Sequence, residues 1–136
     1  MAKSSSPVQG RSVAGSTAVE LSRDDARWRA DLVPSLGGSG RDPDPHDLLD
    51  SALVACTILT LQLYAKRRQY ALDSVEVSLV HDEDDTTYRM ERRITLAGAL
   101  SQQQRDDLLR VANACPLHKA LHKKFEISTE MVDDAG

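Results

Sequence analysis

The fold is decided by one stretch, residues 44–69, which runs DPHDLLDSALVACTILTLQLYAKRRQ. Apolar residues recur there every three or four positions, as the buried stripe of an α-helix requires. Asp44 is a good N-cap, Pro45 suits the first helical position, and residues 66–68 supply positive charge at the far end. The stretch therefore predicts a helix over residues 45–69, on the order of 37 Å long at 1.5 Å per residue.

This predicted helix is apolar on more than one side. Its main stripe is expected to comprise Leu49, Ala52, Leu53, Cys56, Leu59, Thr60 and Leu63. Further apolar residues lie off that stripe, namely Leu48, Ala55, Ile58 and Leu61. A helix with so wide an apolar surface is expected to be central to its domain or packed against a second chain.

Elsewhere the chain alternates apolar and polar residues in short runs that are typical of strands. We expect strands at residues 17–21, 26–33, 74–80, 88–96 and 125–132, with turns at 22–25 and 81–86. Ser101, with Gln104 three residues later, predicts a capped second helix, and a short third helix is expected over residues 117–124. Because the strands come in hairpins and not in βαβ alternation, the predicted fold class is α+β.

Composition narrows the class of protein. The chain has 136 residues, 40% of them hydrophobic and 28% charged, which is typical of one soluble globular domain, here residues 16–136. Residues 1–15, rich in Ser, Gly and Ala, are expected to form a flexible tail. The net charge of −4 argues against nucleic-acid binding, and no apolar run reaches the roughly 18 residues of a membrane span. Because the start also lacks the apolar stretch of a signal peptide, we expect a cytoplasmic location, where thiols stay reduced.

The two cysteines, Cys56 and Cys115, are the candidate chemical groups. Cys56 lies on the apolar stripe of the long helix, which alone predicts an inert core residue. Cys115 precedes Pro116 and would cap the short helix, where the positive end of the helix dipole favours a thiolate. With His118 within one turn, the residues alone favour Cys115 as the more reactive thiol. If the fold brings the cysteines together they form a two-thiol redox site; otherwise they are two small core residues.

A metal site is an alternative interpretation of the same segment. Cys115, His118 and His122 are spaced C-x2-H-x3-H, and either His46 or Cys56 could supply a fourth ligand. The chain has no CxxC pair and no HExxH motif, and the segment is basic. A solvated helix face is therefore favoured over zinc, and we expect no metal or other cofactor.

Several motifs together resemble the OsmC/Ohr family. They are DPHDLL at 44–49, ACT at 55–57, LQLYA at 61–65, SVEV at 74–77, ERRITLAG at 91–98, QQR at 103–105 and ACPLH at 114–118. The match runs in order from about residue 17 to residue 132. Both cysteines fall where the family has them.

The resemblance implies an OsmC-like α+β fold, with antiparallel hairpins around a long central helix, built as an intertwined homodimer with active sites at the interface. It also implies thiol-dependent reduction of organic hydroperoxides, in which Cys56 attacks the peroxide and Cys115 resolves the resulting sulfenic acid to a disulfide. An external dithiol then reduces that disulfide. In the family, an arginine held by a glutamate activates the attacking thiol.

The sequence departs from this pattern at the start of the long helix. Organic hydroperoxide resistance members carry Asn-Pro-Glu there, with the glutamate ten positions before the nucleophile. His46 occupies that position, and the nearest carboxylate, Asp47, is included as the third candidate catalytic residue. On an ideal helix Asp47 and Cys56 lie about 180° apart, so Asp47 can help only across a loop or the dimer. The activating arginine is not fixed by the pattern, and the candidates are Arg11, Arg27, Arg29 and Arg41.

Three functions therefore follow from the sequence. The favoured one is a cytoplasmic thiol peroxidase acting on organic hydroperoxides, with an external dithiol as partner and neither nucleic acid nor membrane involved. The second is a non-enzymatic OsmC-like protein that senses redox state or binds a small apolar ligand. The third is a structural domain with two buried thiols.

Overall fold

The computed structural model describes residues 6–132, which form five strands and three α-helices. In chain order these are β1 (Gln9–Ser12), β2 (Val19–Arg23), β3 (Ala26–Ala30), α1 (Pro45–Arg68), β4 (Leu72–Glu83), β5 (Tyr88–Gly98), α2 (Gln102–Ala112) and α3 (Pro116–Leu121). One turn of 3-10 helix, Pro34–Leu36, lies between β3 and α1. This succession of hairpins and helices confirms the predicted α+β class.

Strands β1, β2 and β3 form an antiparallel sheet in that order. Gln9 pairs with Ser22 at one end of β1, and the β2–β3 hairpin closes with Arg23 opposite Ala26. The flexible tail predicted for residues 1–15 is therefore wrong at 9–12, and residues 1–5 lie outside the described residues. All four residues of β1 are exposed, so they show no apolar alternation; pairing with β2 makes this segment a strand.

Strands β4 and β5 form a second, two-stranded sheet. Both strands run longer than the alternation predicted, and the turn between them is correspondingly shorter. The carboxylate of Asp84 organises this turn by accepting the backbone N–H groups of Thr86 and Thr87, each at 2.9 Å. A two-stranded sheet is marginal on its own, so this hairpin depends on packing against other elements.

Helix α1 begins and ends almost as predicted. At its start the Asp44 carboxylate accepts the N–H of Asp47, and the Asp47 carboxylate accepts the N–H of Asp44. These reciprocal bonds satisfy N–H groups that have no partner inside the helix.

The buried stripe of α1 differs from the predicted one. Buried positions recur every four residues at Leu53, Thr57, Leu61 and Ala65. Leu59 and Leu63, which were assigned to the stripe, are instead 65% and 49% exposed. Because most of α1 is apolar, periodicity alone could not distinguish the covered face from a second apolar face.

Helix α1 is long and apolar enough to span a membrane by length and composition, with a mean hydropathy of 1.6 over its best 18-residue window. The uncharged part of this helix, between Asp50 and Lys66, is shorter than such a span, so the expectation of no membrane segment stays a prediction. One helix of this kind is weak evidence for a membrane, because core helices of folded domains meet the same test.

Helices α2 and α3 follow each other with a break at Cys115. Ser101 caps α2 with the predicted box, in which its side chain accepts the Gln104 N–H while the Gln104 side chain accepts the Ser101 N–H. Helix α2 buries Leu108, Val111 and Ala112, whereas Leu109 is exposed. Helix α3 then starts at Pro116 and ends at Leu121, three residues earlier than predicted.

The strand predicted at residues 125–132 is wrong. The structure places no helix or strand there, and its apolar residues Phe125, Ile127, Met131 and Val132 are exposed. A strand needs a neighbour to satisfy its backbone groups, and within residues 6–132 this segment has none. Its alternating pattern is real, but nothing in residues 6–132 covers it.

Contacts within the described residues divide the chain into two compact units. The first comprises residues 6–55 with 77–94, and the second comprises residues 56–76 with 95–132. Helix α1 and the β4–β5 hairpin each contribute to both units. The single domain predicted for residues 16–136 stays a prediction.

In the second unit, Asp107 on α2 is the centre of a polar cluster. Its carboxylate accepts the hydroxyls of Tyr64 and Tyr70 at 2.7 Å each, and an N–H of Arg110 at 2.7 Å. These hydrogen bonds, that of Tyr70 foremost, hold the pKa of Asp107 well below its usual range. The cluster therefore joins the C-terminal end of α1 to α2, the helix that precedes Cys115 in the chain.

In the first unit, His81 on β4 lies beside Asp50 on α1. Its Nδ1 contacts one carboxylate oxygen of Asp50, and the Tyr88 hydroxyl donates to the other at 2.8 Å. The His81 and Tyr88 rings stack with centroids 4.9 Å apart. The hydrogen bond that His81 donates to the Asp50 carboxylate, reinforced by the charges of Asp50 and Glu83, raises the pKa of His81, while burial acts in the opposite direction.

We predict that His81 makes the stability of the protein depend on pH. The pKa of His81 in the folded state is raised above its ordinary value of 6.5. At pH values between the two, the folded state therefore still holds a proton on His81, whereas the unfolded state has lost it. Stability from the His81–Asp50 pair is then fully present below about pH 6.5 and is lost as the pH rises through the folded-state value. Urea unfolding of the native protein and of His81→Gln should differ most at low pH and converge at high pH. A difference independent of pH would contradict this assignment.

Candidate functional site

Both cysteines are free thiols, and each sulfur accepts a hydrogen bond at the start of α3. The backbone N–H of Leu117 donates to Cys56 Sγ at 3.4 Å, and the next N–H along the chain, that of His118, donates to Cys115 Sγ at 3.4 Å. Two consecutive amides of one helix turn therefore each face one sulfur. The structure thus brings together the two thiols that lie far apart in the sequence.

Cys115 is placed by the break between α2 and α3. It is the N-cap of α3, with φ −63° and ψ 152°, and Pro116 follows at the first helical position. Proline disfavours the helical conformation for the residue before it, so the chain is extended at Cys115 and turns its side chain back over the new helix. The Cys115 side chain is fully buried, with 0% exposure.

Cys56 is placed by α1, one residue before the fully buried Thr57. Its sulfur lies 3.9 Å from Thr60 Oγ1, one turn further along the helix. Unlike Cys115, Cys56 is only partly buried. The difference in exposure therefore favours Cys56 as the thiol that a molecule in solution can reach. The residues alone had favoured Cys115 as the more reactive thiol.

The amides at the start of α3 create a polar environment for both sulfurs. An N–H donor interacts more strongly with a thiolate than with a thiol, and the positive end of the helix dipole acts in the same sense. Each sulfur therefore has a donor in place for negative charge that develops on it during thiol chemistry.

Asp47, the third candidate catalytic residue, lies in the first unit. Its carboxylate accepts the Asp44 N–H at 3.0 Å and so caps α1. His46, which stands where the family pattern has glutamate, lies 3.3 Å from a carboxylate oxygen of Glu83 and stacks on Tyr88. A helix-capping role explains Asp47 fully, and a catalytic role for it stays a prediction.

The candidate arginines also lie in the first unit. Arg11 donates two hydrogen bonds to one carboxylate oxygen of Glu20, at 2.7 and 3.0 Å, and this contact lowers the pKa of Glu20. Arg29 lies 3.5 Å from Asp42, and the backbone N–H of Arg41 donates to Ser39. Arg11 is therefore a candidate that a glutamate holds in place.

Arg11, Arg27 and Arg29 line a cavity of about 1140 Å³ in the first unit. The apolar part of its wall includes Leu21, Trp28 and Leu48, and neither cysteine is among its lining residues. The cavity is large enough for a small organic molecule.

The zinc alternative gains no support from the geometry. Among residues 6–132, no three His, Cys, Asp or Glu side chains are grouped so that they could hold a metal ion. The ring of His122 stacks on that of His118, and its Nδ1 donates to the His118 carbonyl oxygen at 2.8 Å.

Sequence reasoning identified both cysteines and the short helix that Cys115 caps, but it missed the hydrogen bonds from the first amides of that helix to the two sulfurs. The consecutive amides of Leu117 and His118 carry no side-chain signal, and only the Cys-Pro pair marks the helix start that aims them. The clusters around Asp50 and Asp107 were also missed. Their members come from segments that are distant in the sequence.

The chain is similar to known proteins both in sequence pattern and in fold. The sequence pattern of the OsmC-like protein family matches residues 38–130, which include both cysteines. Among solved structures, the chain is similar to the OsmC like protein from Mycoplasma pneumoniae, with 16% identity, 89% of each chain covered and a TM-score of 0.75. No curated protein matches the sequence.

Two organic hydroperoxide resistance proteins have similar structures. That from Elizabethkingia anophelis is 16% identical, with 89% of this chain and 91% of that chain covered and a TM-score of 0.63. The protein OhrB of Bacillus subtilis is 23% identical, with 87% of this chain and 90% of that chain covered and a TM-score of 0.55.

Because the family pattern covers more than half of the chain, the protein belongs to the OsmC-like family. The structural similarities, all below 25% identity, confirm the fold: antiparallel sheets combined with one long helix.

We predict that the two thiols differ sharply in accessibility. In the reduced native protein, a short exposure to iodoacetamide should modify Cys56, because its side chain is partly exposed, and should leave the fully buried Cys115 intact. Both should react after unfolding in urea. Peptide mass spectrometry measures each site separately. Equal modification of both in the folded protein would show that Cys115 is not protected as the structure indicates.

Proposed function

We propose that the protein is a thiol-dependent peroxidase that reduces organic hydroperoxides through a two-cysteine cycle. The observation that supports this most directly is that two free thiols accept hydrogen bonds from consecutive amides of α3. Of these thiols, that of Cys56 is partly exposed and that of Cys115 is buried. The family and the hydroperoxide resistance proteins of similar structure are consistent with it.

In the proposed cycle, Cys56 as a thiolate attacks one oxygen of the hydroperoxide. The O–O bond breaks, Cys56 becomes a sulfenic acid, and the organic oxygen takes a proton and leaves as an alcohol. The Leu117 N–H, which already donates to Cys56 Sγ, would hold the thiolate before attack.

Cys115 then attacks the Cys56 sulfur. The S–O bond breaks, a disulfide forms, and the oxygen leaves as water with the proton from the Cys115 thiol. Burial of Cys115 suits this second step, because a resolving thiol that peroxide cannot reach is not itself oxidised further. An external dithiol supplies two electrons and two protons to return both cysteines to thiols. A cytoplasmic location, where such dithiols are maintained, belongs to this proposal.

We predict that Cys56→Ser abolishes hydroperoxide consumption and that Cys115→Ser permits a single oxidation that stalls at the sulfenic acid. The measurement is intact mass and free-thiol count after one equivalent of cumene hydroperoxide, at low protein concentration without reductant. The native protein should lose two thiols and two protons, with a Cys56–Cys115 linkage in the digest. Unchanged turnover in Cys56→Ser would rule out Cys56 as the nucleophile.

The second candidate function is a non-enzymatic member of the family that binds a small apolar ligand or senses redox state. The cavity that Trp28 and Leu48 help to line favours it, as does His46 where the family pattern has glutamate. Two intact thiols after minutes with cumene hydroperoxide would favour this candidate over the peroxidase.

A homodimer is part of the proposal, and exposed apolar groups in the second unit support it. On α1, Leu59 and Leu63 lie one turn apart and are exposed. In the segment at 125–132, Ile127 and Met131 are 84% and 96% exposed. Such groups are normally covered in a stable protein, and a second copy of the chain could cover the α1 face and pair with the alternating segment.

We predict that Leu59→Glu/Leu63→Glu converts a dimeric native protein to monomers, because two carboxylates would lose their hydration in an apolar interface. Light scattering coupled to size-exclusion chromatography measures the mass. Gln62→Glu, an acidic substitution at an exposed polar position on the same helix, is the matched control and should leave the dimer intact. A native protein that is monomeric at micromolar concentration would refute the homodimer.

A further inference from the structure

The segment that follows the two-thiol site is basic in an otherwise acidic chain. Residues 112–125 contain no Asp or Glu, whereas the whole chain has a net charge of −4. The positive and titratable groups there, which we call the basic segment, are His118, Lys119, His122, Lys123 and Lys124.

Backbone contacts place the basic segment directly beside Cys115. The N–H of Lys119 donates to the Cys115 carbonyl oxygen at 3.1 Å, so Lys119 lies one helical turn beyond Cys115. The N–H of Lys123 donates to the Ala120 carbonyl oxygen at 3.0 Å and continues the turn. Lys119 therefore lies within α3, and Lys123 lies in the turn that directly follows its end at Leu121.

These lysines are available to a partner. Lys119, Lys123 and Lys124 are exposed, and within residues 6–132 no carboxylate lies within ion-pair distance of Lys119 or Lys123. Lys124 lies 3.6 Å from Glu126, but both side chains are more than four-fifths exposed, so water screens this pair. Among the described residues, the positive charges of Lys119 and Lys123 therefore remain uncompensated in the segment that follows Cys115.

We propose that the basic segment recruits an anionic dithiol, which reduces the Cys56–Cys115 disulfide. The inference rests on the proposed two-cysteine cycle and deepens it by naming the chemical class of the reductant. Positive charge near a reaction site raises the encounter rate of anions, and the attacking species is itself an anion, because a thiolate breaks the disulfide.

The exchange proceeds in two steps. A reductant thiolate attacks Cys56, the more accessible sulfur, the S–S bond breaks, and Cys115 leaves as a thiolate that the His118 N–H can stabilise and that then takes a proton. The second thiolate of the reductant attacks its own sulfur in the mixed disulfide. Cys56 leaves and is protonated, and the reductant departs as a disulfide after giving up two electrons and two protons.

The test measures how fast the disulfide is reduced by dithiols that differ in charge. The disulfide is formed with diamide, without any peroxide, and is then reduced by neutral dithiothreitol or by anionic meso-2,3-dimercaptosuccinate. In Lys119→Glu/Lys123→Glu, the second-order rate constant for the anionic dithiol should fall about tenfold at low salt, and that for dithiothreitol should change less than about twofold. The selective loss should largely disappear at about 0.5 M salt.

Two further variants control for trivial effects. Lys66→Glu/Arg67→Glu changes the net charge by the same amount but lies roughly 16 Å along α1 from Cys56, so it should leave both rate constants nearly unchanged. Lys119→Gln/Lys123→Gln removes charge without reversing it and should give an intermediate loss. An equal loss for both dithiols, no loss, or failure of diamide to form the disulfide would each overturn the inference.

A competitor distinguishes the source of the anionic dithiol. If thiol-free polyglutamate slows reduction by dithiothreitol in the native protein but not in Lys119→Glu/Lys123→Glu, the segment binds an acidic polypeptide, which supports a dithiol carried on a protein. If polyglutamate has no effect while the preference for the anionic dithiol holds, a small dithiol acid is supported. Because diamide replaces the peroxide, this test does not depend on hydroperoxide turnover. The preference for the anionic dithiol can hold when hydroperoxide turnover fails, and hydroperoxide turnover can hold when that preference is absent.

Discussion

The pair of hydrogen bonds from consecutive amides of α3 to the two sulfurs is the interaction on which the candidate site depends. The Leu117 and His118 N–H groups belong to one rigid turn, so neither donor can move without the other. That turn exists because Pro116 cannot continue α2 and forces Cys115 out of the helical conformation. Any small polar residue could have capped the start of α3. Because Cys115 is the cap, this helix start also fixes the position of the Cys115 thiol relative to that of Cys56.

The same arrangement makes the two thiols unequal. Cys56 comes from the side of a long helix and remains partly exposed, whereas Cys115 comes from a chain reversal and is fully covered. In a two-step cycle the first thiol must meet a molecule from solution, and the second must meet only the first. The exposure of Cys56 and the burial of Cys115 therefore match the order of the proposed steps. The two residues are of the same type, so this difference comes from their positions in the fold alone.

Much of this structure could be predicted from local sequence patterns. The ends of α1, the Ser101–Gln104 capping box and the start of α3 are each fixed by neighbouring residues, and each was predicted to within a few positions. The covered face of α1 was not, because Leu59 and Leu61 are equally apolar and only the surrounding chain decides which is buried. Strand β1 was missed because it is defined by its pairing with β2. A strand was wrongly predicted at 125–132 because that segment, despite its alternating pattern, has no neighbouring strand among the described residues. The polar clusters around Asp50 and Asp107 depend on contacts between distant segments, which single-sequence patterns do not encode.

The incorrect predictions at α1 and at residues 125–132 share one physical feature, which is apolar surface that the described residues leave exposed. In both places the sequence carries the apolar pattern of a buried element, and in both places the single chain leaves that pattern exposed. A pattern of buried residues is selected for the surface that finally covers it, which need not belong to the same chain. In the proposed homodimer, the apolar composition of α1 that meets the test for a membrane span would follow from the same cause, because a helix covered on two faces needs apolar residues on both. The discrepancy between pattern and burial therefore supports a second copy of the chain as the missing neighbour of the second unit.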